Sequence, residues 1–351
     1  MGEVAKRAAL VTVVVVGVVA TALALWKIKL VIALFFLGLI VAAAMRPGVD
    51  ALRRRRVPRG VGILLHYLTL AGLVALFLSL VAPRAVDQVQ GALRGDTKAH
   101  IHREAKHSKG VKHEILVALD KRLRHLPKAG AVVPKAASVT VKAFEVLVGI
   151  FFVFATAAYW IFERERAVDV VASLFPRPKR KKLRDTWDLI DAKLGAFVRG
   201  ELVLIVFVAT VLSILFRAIG EPYWLLIGSF AGLVEIVPVI GPLAAGALAV
   251  GVGLTQSWLV ALGAGLCVLG VRLFEDYIVV PRVLGHAVGL SPLLVLFSVT
   301  AVGILFGGFA VLFAVPLAAV VGTIIDVLVL GKEPSEEEVP TVLFPAKDAE
   351  G

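Results

Sequence analysis

Long blocks without a charged residue decide what this chain can be. Residues 8–26, "AALVTVVVVGVVATALALW", hold no charge, and residues 28–45 hold Lys29 alone. Further charge-free runs cover 60–82, 146–162, 202–216, 222–234, 236–271 and 287–325. A run of about 18 apolar residues is long enough to cross a bilayer as a helix. A soluble chain of 351 residues could not hide 59% hydrophobic residues and a mean hydropathy of +0.91. The expectation is an all-α polytopic membrane protein of about eight spans. The basic start and apolar block of "MGEVAKRAALVTVVVV" also suit a signal peptide. The block is about 19 residues long and a second follows at once, so it reads as a span.

The charges between the blocks set an orientation. Loop 46–59, "RPGVDALRRRRVPR", carries six Arg against one Asp, and segment 163–199 carries ten Lys/Arg. Both are expected in the cytoplasm. Spans one to three and that loop then make up residues 1–82, and the fourth span is 143–162. Residues 83–142 fall outside, although they hold thirteen Lys/Arg against five Asp/Glu. Long segments translocate with little regard to charge. The net charge of +12 fits loops meeting anionic lipid, with no nucleic acid implied.

Two extramembrane patterns stand out. Segment 83–142 holds five of the seven histidines, but His100, His102, His107 and His113 follow no metal-ligand spacing and read as a solvated face. Val111, Ile115, Leu119, Leu123 and Leu126 mark part of it as an amphipathic helix. In 163–199, Leu183, Trp187, Ile190, Leu194 and Phe197 form one apolar helical stripe, with Asp185, Asp188, Asp191 and Lys193 away from it. Such a stripe can lie on the membrane, pack on the protein or seam two subunits. The lone Cys267 excludes an intrachain disulfide and a thiol metal cluster. No cofactor or metal is expected. The acidic tail 331–351 is expected to be cytoplasmic and disordered.

Residues 200–330 depart from ordinary spans. After the fifth span come Pro222–Val237 and Pro242–Leu254, each too short to cross about 30 Å of hydrocarbon. Pro238, Gly241 and Pro242 break the helix between them. Region 222–255 is therefore either one span unwound in the middle or a re-entrant hairpin. The hairpin puts Arg272, Arg282 and His286 in the cytoplasm and is favoured. Irregular backbone at membrane depth survives only inside protein or beside a wet cavity, and transporters use it to hold substrate or ion. Gly228, Gly232, Gly241, Ala244, Ala245 and Gly246 allow close helix approach. A carboxylate in an apolar run is costly, so Glu235, with Pro238, Gly241 and Pro242, is the candidate ion or substrate site. Further on, Arg272 can pair with Glu275 and Asp276 at i+3 and i+4. Pro281, Arg282 and Gly285 follow in "VVPRVLG", a candidate gate or relay. Gly307-Gly308 and Pro316 interrupt the last block.

From about 159 to 330 the chain resembles the autoinducer-2 exporter (AI-2E) family of bacterial membrane proteins. The strings that carry this are "YWIFERER", Phe175-Pro176, "LGAFVRGE", "GEPYWLLIGSFAGLVEIVPVIGP", "LFEDYIVVPRVLG", "VGLSPLLVLFSV" and "GGFAVLFAVPLAAV", in the family's order. The resemblance implies an inner-membrane, multi-pass transporter of about eight spans, working as a homo-oligomer, the pentamer being the implied form. It implies export of the quorum-sensing signal autoinducer-2 or sodium(lithium)/proton antiport. It adds Arg199 and Glu201, within "LGAFVRGE", to the candidate residues, with Pro316 in the last string. Two positions differ: Glu201 and Val280 stand where the family often has Gln. No G-x-x-x-x-G-K-[ST] string occurs, so transport would be driven by a gradient. The competing reading is a non-transporting membrane scaffold acting through 83–142 and the stripe helix. An enzyme is not indicated, since no Ser/His or paired-His constellation lies in the spans.

Overall fold

A computed structural model describes residues 2–93, 136–283, 291–337 and 339. Helices account for nearly all of it: α1 (Gly2–Lys27), α2 (Lys29–Arg54), α3 (Arg59–Leu93), α4 (Ala136–Ser173), α5 (Arg177–Ala218), α6 (Trp224–Val234), α7 (Ile240–Gly253), α8 (Trp258–Phe274), α9 (Pro292–Phe306) and α10 (Ala314–Leu328). Among the described residues, seven helices are long and apolar enough to cross a membrane. The shorter apolar helices are Trp224–Val234, Ile240–Gly253 and Leu293–Phe306. The protein is an all-α polytopic membrane protein. Most of 83–142, with its histidines and its expected amphipathic helix, lies outside the described residues.

Three buried clusters hold the helices together. Ala42, Val49, Ile63, Ala157 and Ile161 join α2, α3 and α4. Ala33, Ile40, Ala43, Ile190, Leu194, Val299, Val302, Phe313 and Ala314 join α2, α5, α9 and α10. Val208, Leu212, Phe216, Ile227, Ala231, Ala245, Ala249, Ala264 and Val271 join α5, α6, α7 and α8. Alanine recurs in all three. Lipid is as apolar as leucine, so helices in a bilayer gain by close packing, which small residues permit. Large side chains such as Leu10, Val13, Leu68 and Phe151 point outward, where lipid solvates them.

Two boundaries differ from the sequence expectation. The fifth span and the amphipathic stripe before it are one helix of 42 residues, about 63 Å long at 1.5 Å per residue. The stripe packs on the protein: Ile190 and Leu194 are buried against α2 and α10. Pro176 caps α5 at its start, because a proline fits where no intrahelical N–H bond is needed. Arg180 reaches back to close α4, donating to the Phe175 carbonyl at 2.9 Å and the Ser173 carbonyl at 3.1 Å. The second difference is the tail. Residues 331–337 do not leave the protein: Pro334 is buried, Lys182 pairs with Glu333 at 3.1 Å, and Lys193 pairs with Glu337. The acidic residues find two lysines on α5, and this holds the segment down.

Of the two expected interruptions of the last block, the one at Gly307-Gly308 is observed and the one at Pro316 is not. The chain turns at Gly307, with φ of 95°, and continues as the 3₁₀ turn Gly308–Phe313. Pro316 lies in the first turn of α10, where its missing N–H leaves no bond unmade.

Candidate functional site

The site begins with how α5 ends. The Glu221 N–H donates to the Phe216 carbonyl at 2.8 Å and the Gly220 N–H to the Arg217 carbonyl at 3.2 Å, with Gly220 at φ 75°. This is the Schellman arrangement that stops a helix. It turns the chain so that α6 runs back along α5. Gly228 then meets Ser213, and a Cβ at Gly232 would come 2.5 Å from the Ile205 carbonyl oxygen. Glycine at both positions lets the two backbones touch.

At the far end of α6 the chain reverses again. The Ile240 N–H donates to the Pro238 carbonyl at 2.7 Å, closing a γ-turn on Val239 with φ 67° and ψ −52°. A positive φ is uncommon for any residue but glycine and costly for a β-branched one. Gly241 packs directly on the Val234 carbonyl, which holds the turn shut. Pro242 stands in the first turn of α7, where a proline costs no hydrogen bond. α7 returns beside α6, and a Cβ at Gly253 would lie 2.9 Å from Glu221 Oε2. The two ends of the broken segment therefore meet. Residues 224–253 form a helical hairpin, not one unwound span, with its tip at 235–239.

α8 follows the hairpin back to the level of that tip. Arg272, in its last turn, donates from Nη1 to Glu235 Oε1 at 2.8 Å. The same Nη1 is 3.5 Å from Glu275 Oε2, and Nη2 is 2.9 Å from Asp276 Oδ1. The i+3 and i+4 pairs are those the spacing predicts, while the bond to Glu235 comes from folding. Glu235 is 7% exposed and Glu275 2%. Both carboxyl groups face the same Arg272 guanidinium. Glu201, half-buried on α5, interacts electrostatically with Glu235, Glu275 and Arg272. Four carboxyl groups from α5, the hairpin and the end of α8 thus gather around Arg272. The backbone of Glu275–Val279 is π-helical. Such a bulge re-aims side chains within a helix and is frequent at functional sites.

The other candidates do not join this cluster. Arg199 is buried on the opposite side of α5 and donates to the Ala44 carbonyl of α2 at 3.3 Å. Pro281 and Arg282 are exposed in the helical turn Val280–Val283, and Gly285 lies outside the described residues. Pro316 packs in α10, far along the chain from the hairpin. Sequence reasoning missed a second polar group. Arg164 of α4 donates from Nε to Asp191 at 2.8 Å and from Nη2 to Asp188 at 2.6 Å, and Arg46 of α2 reaches Asp191 at 3.1 Å. The i, i+3 spacing of Asp188 and Asp191 sets them on one face of α5, which was the available signal. Among the described residues, no group of three His, Cys, Asp or Glu is arranged to hold a metal ion.

The profile of the AI-2E family transporter matches residues 13–330, which includes every residue of the cluster. The chain belongs to the AI-2E transporter family. Among its relatives, "Putative transport protein YueF" of Bacillus subtilis (strain 168) is 27% identical over 294 residues, 78% of each chain. "Putative transport protein MT0215" of Mycobacterium tuberculosis (strain CDC 1551 / Oshkosh) is 25% identical over 338 residues, 91% of this chain and 89% of the relative. "Putative transport protein YrrI" of B. subtilis is 26% identical over 178 residues, spanning about half of each chain, 48% and 49%.

Proposed function

We propose that this AI-2E family transporter is a gradient-driven carrier of the bacterial inner membrane that exchanges a cation for protons or exports a small polar metabolite. Glu235, Glu275, Asp276 and Glu201 around Arg272 are its ion-binding site. The observation that carries this reading is the bond from Arg272 to Glu235, because it ties the hairpin tip to a neighbouring helix through groups a proton or cation can displace. A carboxyl-rich site favours a positive solute over an anion. Protonation of Glu235 or Glu275 weakens their hold on Arg272, and a cation competes with both for the same oxygens. Ion occupancy and hairpin position are then linked, the requirement for coupled transport. The work is binding and release, with no reaction on the solute.

On the stripe helix, Ile190 and Leu194 are buried within the chain, which favours transport over the scaffold reading there. We propose that anionic lipid meets Arg53–Arg56, and that the outward apolar faces meet lipid and further copies of the chain in a homo-oligomer. Transport is tested with purified protein in vesicles, with and without a proton gradient. Sodium uptake that requires the gradient and falls at least tenfold in Glu235→Gln supports the site. Uptake that is gradient-driven yet unchanged in Glu235→Gln removes Glu235 from it.

A further inference from the structure

A second carboxyl group lies at the other end of the hairpin, outside the cluster just described. Glu221 stands where α5 gives way to α6. It is 2% exposed, and both of its carboxyl oxygens are sealed from solvent with no hydrogen-bond partner among the described residues. The other two buried acids described, Glu235 and Glu275, both have the Arg272 guanidinium against them. Glu221 does not. Arg217, one turn earlier, lies over the Trp224 ring instead, 5.4 Å from its centroid. The titratable group that faces Glu221 from α8 is the Cys267 thiol, which supplies no positive charge.

The enclosure is made by close backbone. A Cβ at Gly253 would come 2.8 Å from Ala261 Cα and 2.9 Å from Glu221 Oε2. The carboxyl group is therefore pinned where α7 ends and α8 begins. An ionised carboxylate without a partner cannot be kept in such a place, since desolvation is not offset by any donor or cation. A neutral acid can.

We infer that Glu221 is a proton-binding site at the base of the hairpin, holding its proton in the closed conformation seen here and releasing it to water when α7 and α8 part. The proton sits on one Oε as a carboxylic acid and leaves as hydronium. Fourteen residues separate Glu221 from Glu235, roughly 20 Å along a helix. The hairpin thus carries a proton-binding carboxyl at its base and the ion cluster at its tip. One displacement of this element changes the surroundings of both. The use of this proton in transport rests on the gradient-driven reading above; its presence on Glu221 does not.

The test has two arms on the full-length protein in lipid vesicles. The first is infrared difference spectroscopy at neutral pH in H₂O and D₂O, wild type minus Glu221→Gln. A protonated-carboxyl C=O band, shifted by deuterium, should be present in wild type, absent in Glu221→Gln and retained in Glu221→Asp. If the substitution removes only carboxylate bands, Glu221 is ionised and the inference is overturned. The second arm follows proton movement with a lumenal pH-sensitive dye after a sodium jump. A fall of at least tenfold in Glu221→Gln is expected, and a wild-type rate in that variant overturns its part in proton movement. A wild type that moves no protons defeats the cation/proton exchange reading, while the infrared arm still decides Glu221.

Discussion

Arg272 and Glu235 are 37 residues apart in sequence and 2.8 Å apart in space. The contact fastens the tip of the hairpin to the end of α8, the helix that follows it. It also places one guanidinium among carboxylates from separate elements, so the two residues should not act independently.

A double-mutant cycle reads that coupling. Glu235→Gln and Arg272→Gln each keep the shape of the side chain and remove its charge. Groups in one ion-pair network show interaction energies of about 0.5–3 kcal/mol. Arg272→Gln should be the more damaging change, because it leaves Glu235, Glu275 and Asp276 facing one another. The double variant should recover part of that loss. Unfolding midpoints in detergent check this, and additive shifts would show that the pair is not coupled.

The hairpin tip makes a sharper steric prediction. Gly241 packs on the Val234 carbonyl, so a methyl group there meets backbone that cannot rotate away. Gly241→Ala should destabilise the protein by about 1–3 kcal/mol, the usual range for overpacking. Gly251 also lies in α7 with nothing within 4 Å of an added Cβ. Gly251→Ala should be neutral or slightly stabilising, since alanine favours helix by about 1 kcal/mol. Thermal unfolding of the two variants side by side separates packing from propensity.

Much of this was legible in the sequence, for identifiable reasons. Charge-free blocks announce spans because a bilayer admits little else. Glu235 stood out as a carboxylate within an apolar run, and Arg272 with Glu275 and Asp276 followed from helical spacing. What spacing could not supply was the meeting of Glu235 with Arg272, which depends on the chain reversing at Val239. A valine gives no local sign of a positive φ. Lys193 read only as a residue off the apolar stripe, because a helical wheel knows nothing of a tail that returns 144 residues later. Glu221, between Gly220 and Pro222, did not stand out in the sequence. Only the packing of Gly253 against Ala261 reveals that it is enclosed.

The network on the N-terminal part of α5 should be structural. Arg164 is 7% exposed and serves Asp188 and Asp191 at once. Removing one partner of a buried pair strands the other, at about 3–5 kcal/mol. Arg164→Ala should approach that loss. Arg166, two residues on, pairs with Glu163 at 3.4 Å on the open surface, so Arg166→Ala should cost about 0.5 kcal/mol or less. Trp160 and Trp187 lie 5.8 Å apart, tilted by 40°, beside the network, so a variant that keeps these two of the five tryptophans reports the unfolding of this region by fluorescence.

The docked tail should respond asymmetrically to mutation. Lys193 is buried and is paired with Glu337, with Thr323 Oγ1 3.4 Å from its ammonium. Glu337 is the more exposed partner and belongs to a segment that can lift away. Glu337→Ala therefore leaves a buried ammonium with a hydroxyl in place of a carboxylate, at about 1–3 kcal/mol. Lys193→Met removes the charge from the buried side and lets Glu337 return to water, so stability should change little. Both variants should free the tail, and limited trypsin digestion should cut faster at Lys332 in each. Glu336→Ala, at an exposed neighbour, should leave cleavage as in wild type. Equal unfolding losses for Glu337→Ala and Lys193→Met would show that Lys193 is hydrated in the folded protein and that the tail, not the helix, bears the cost of the pair.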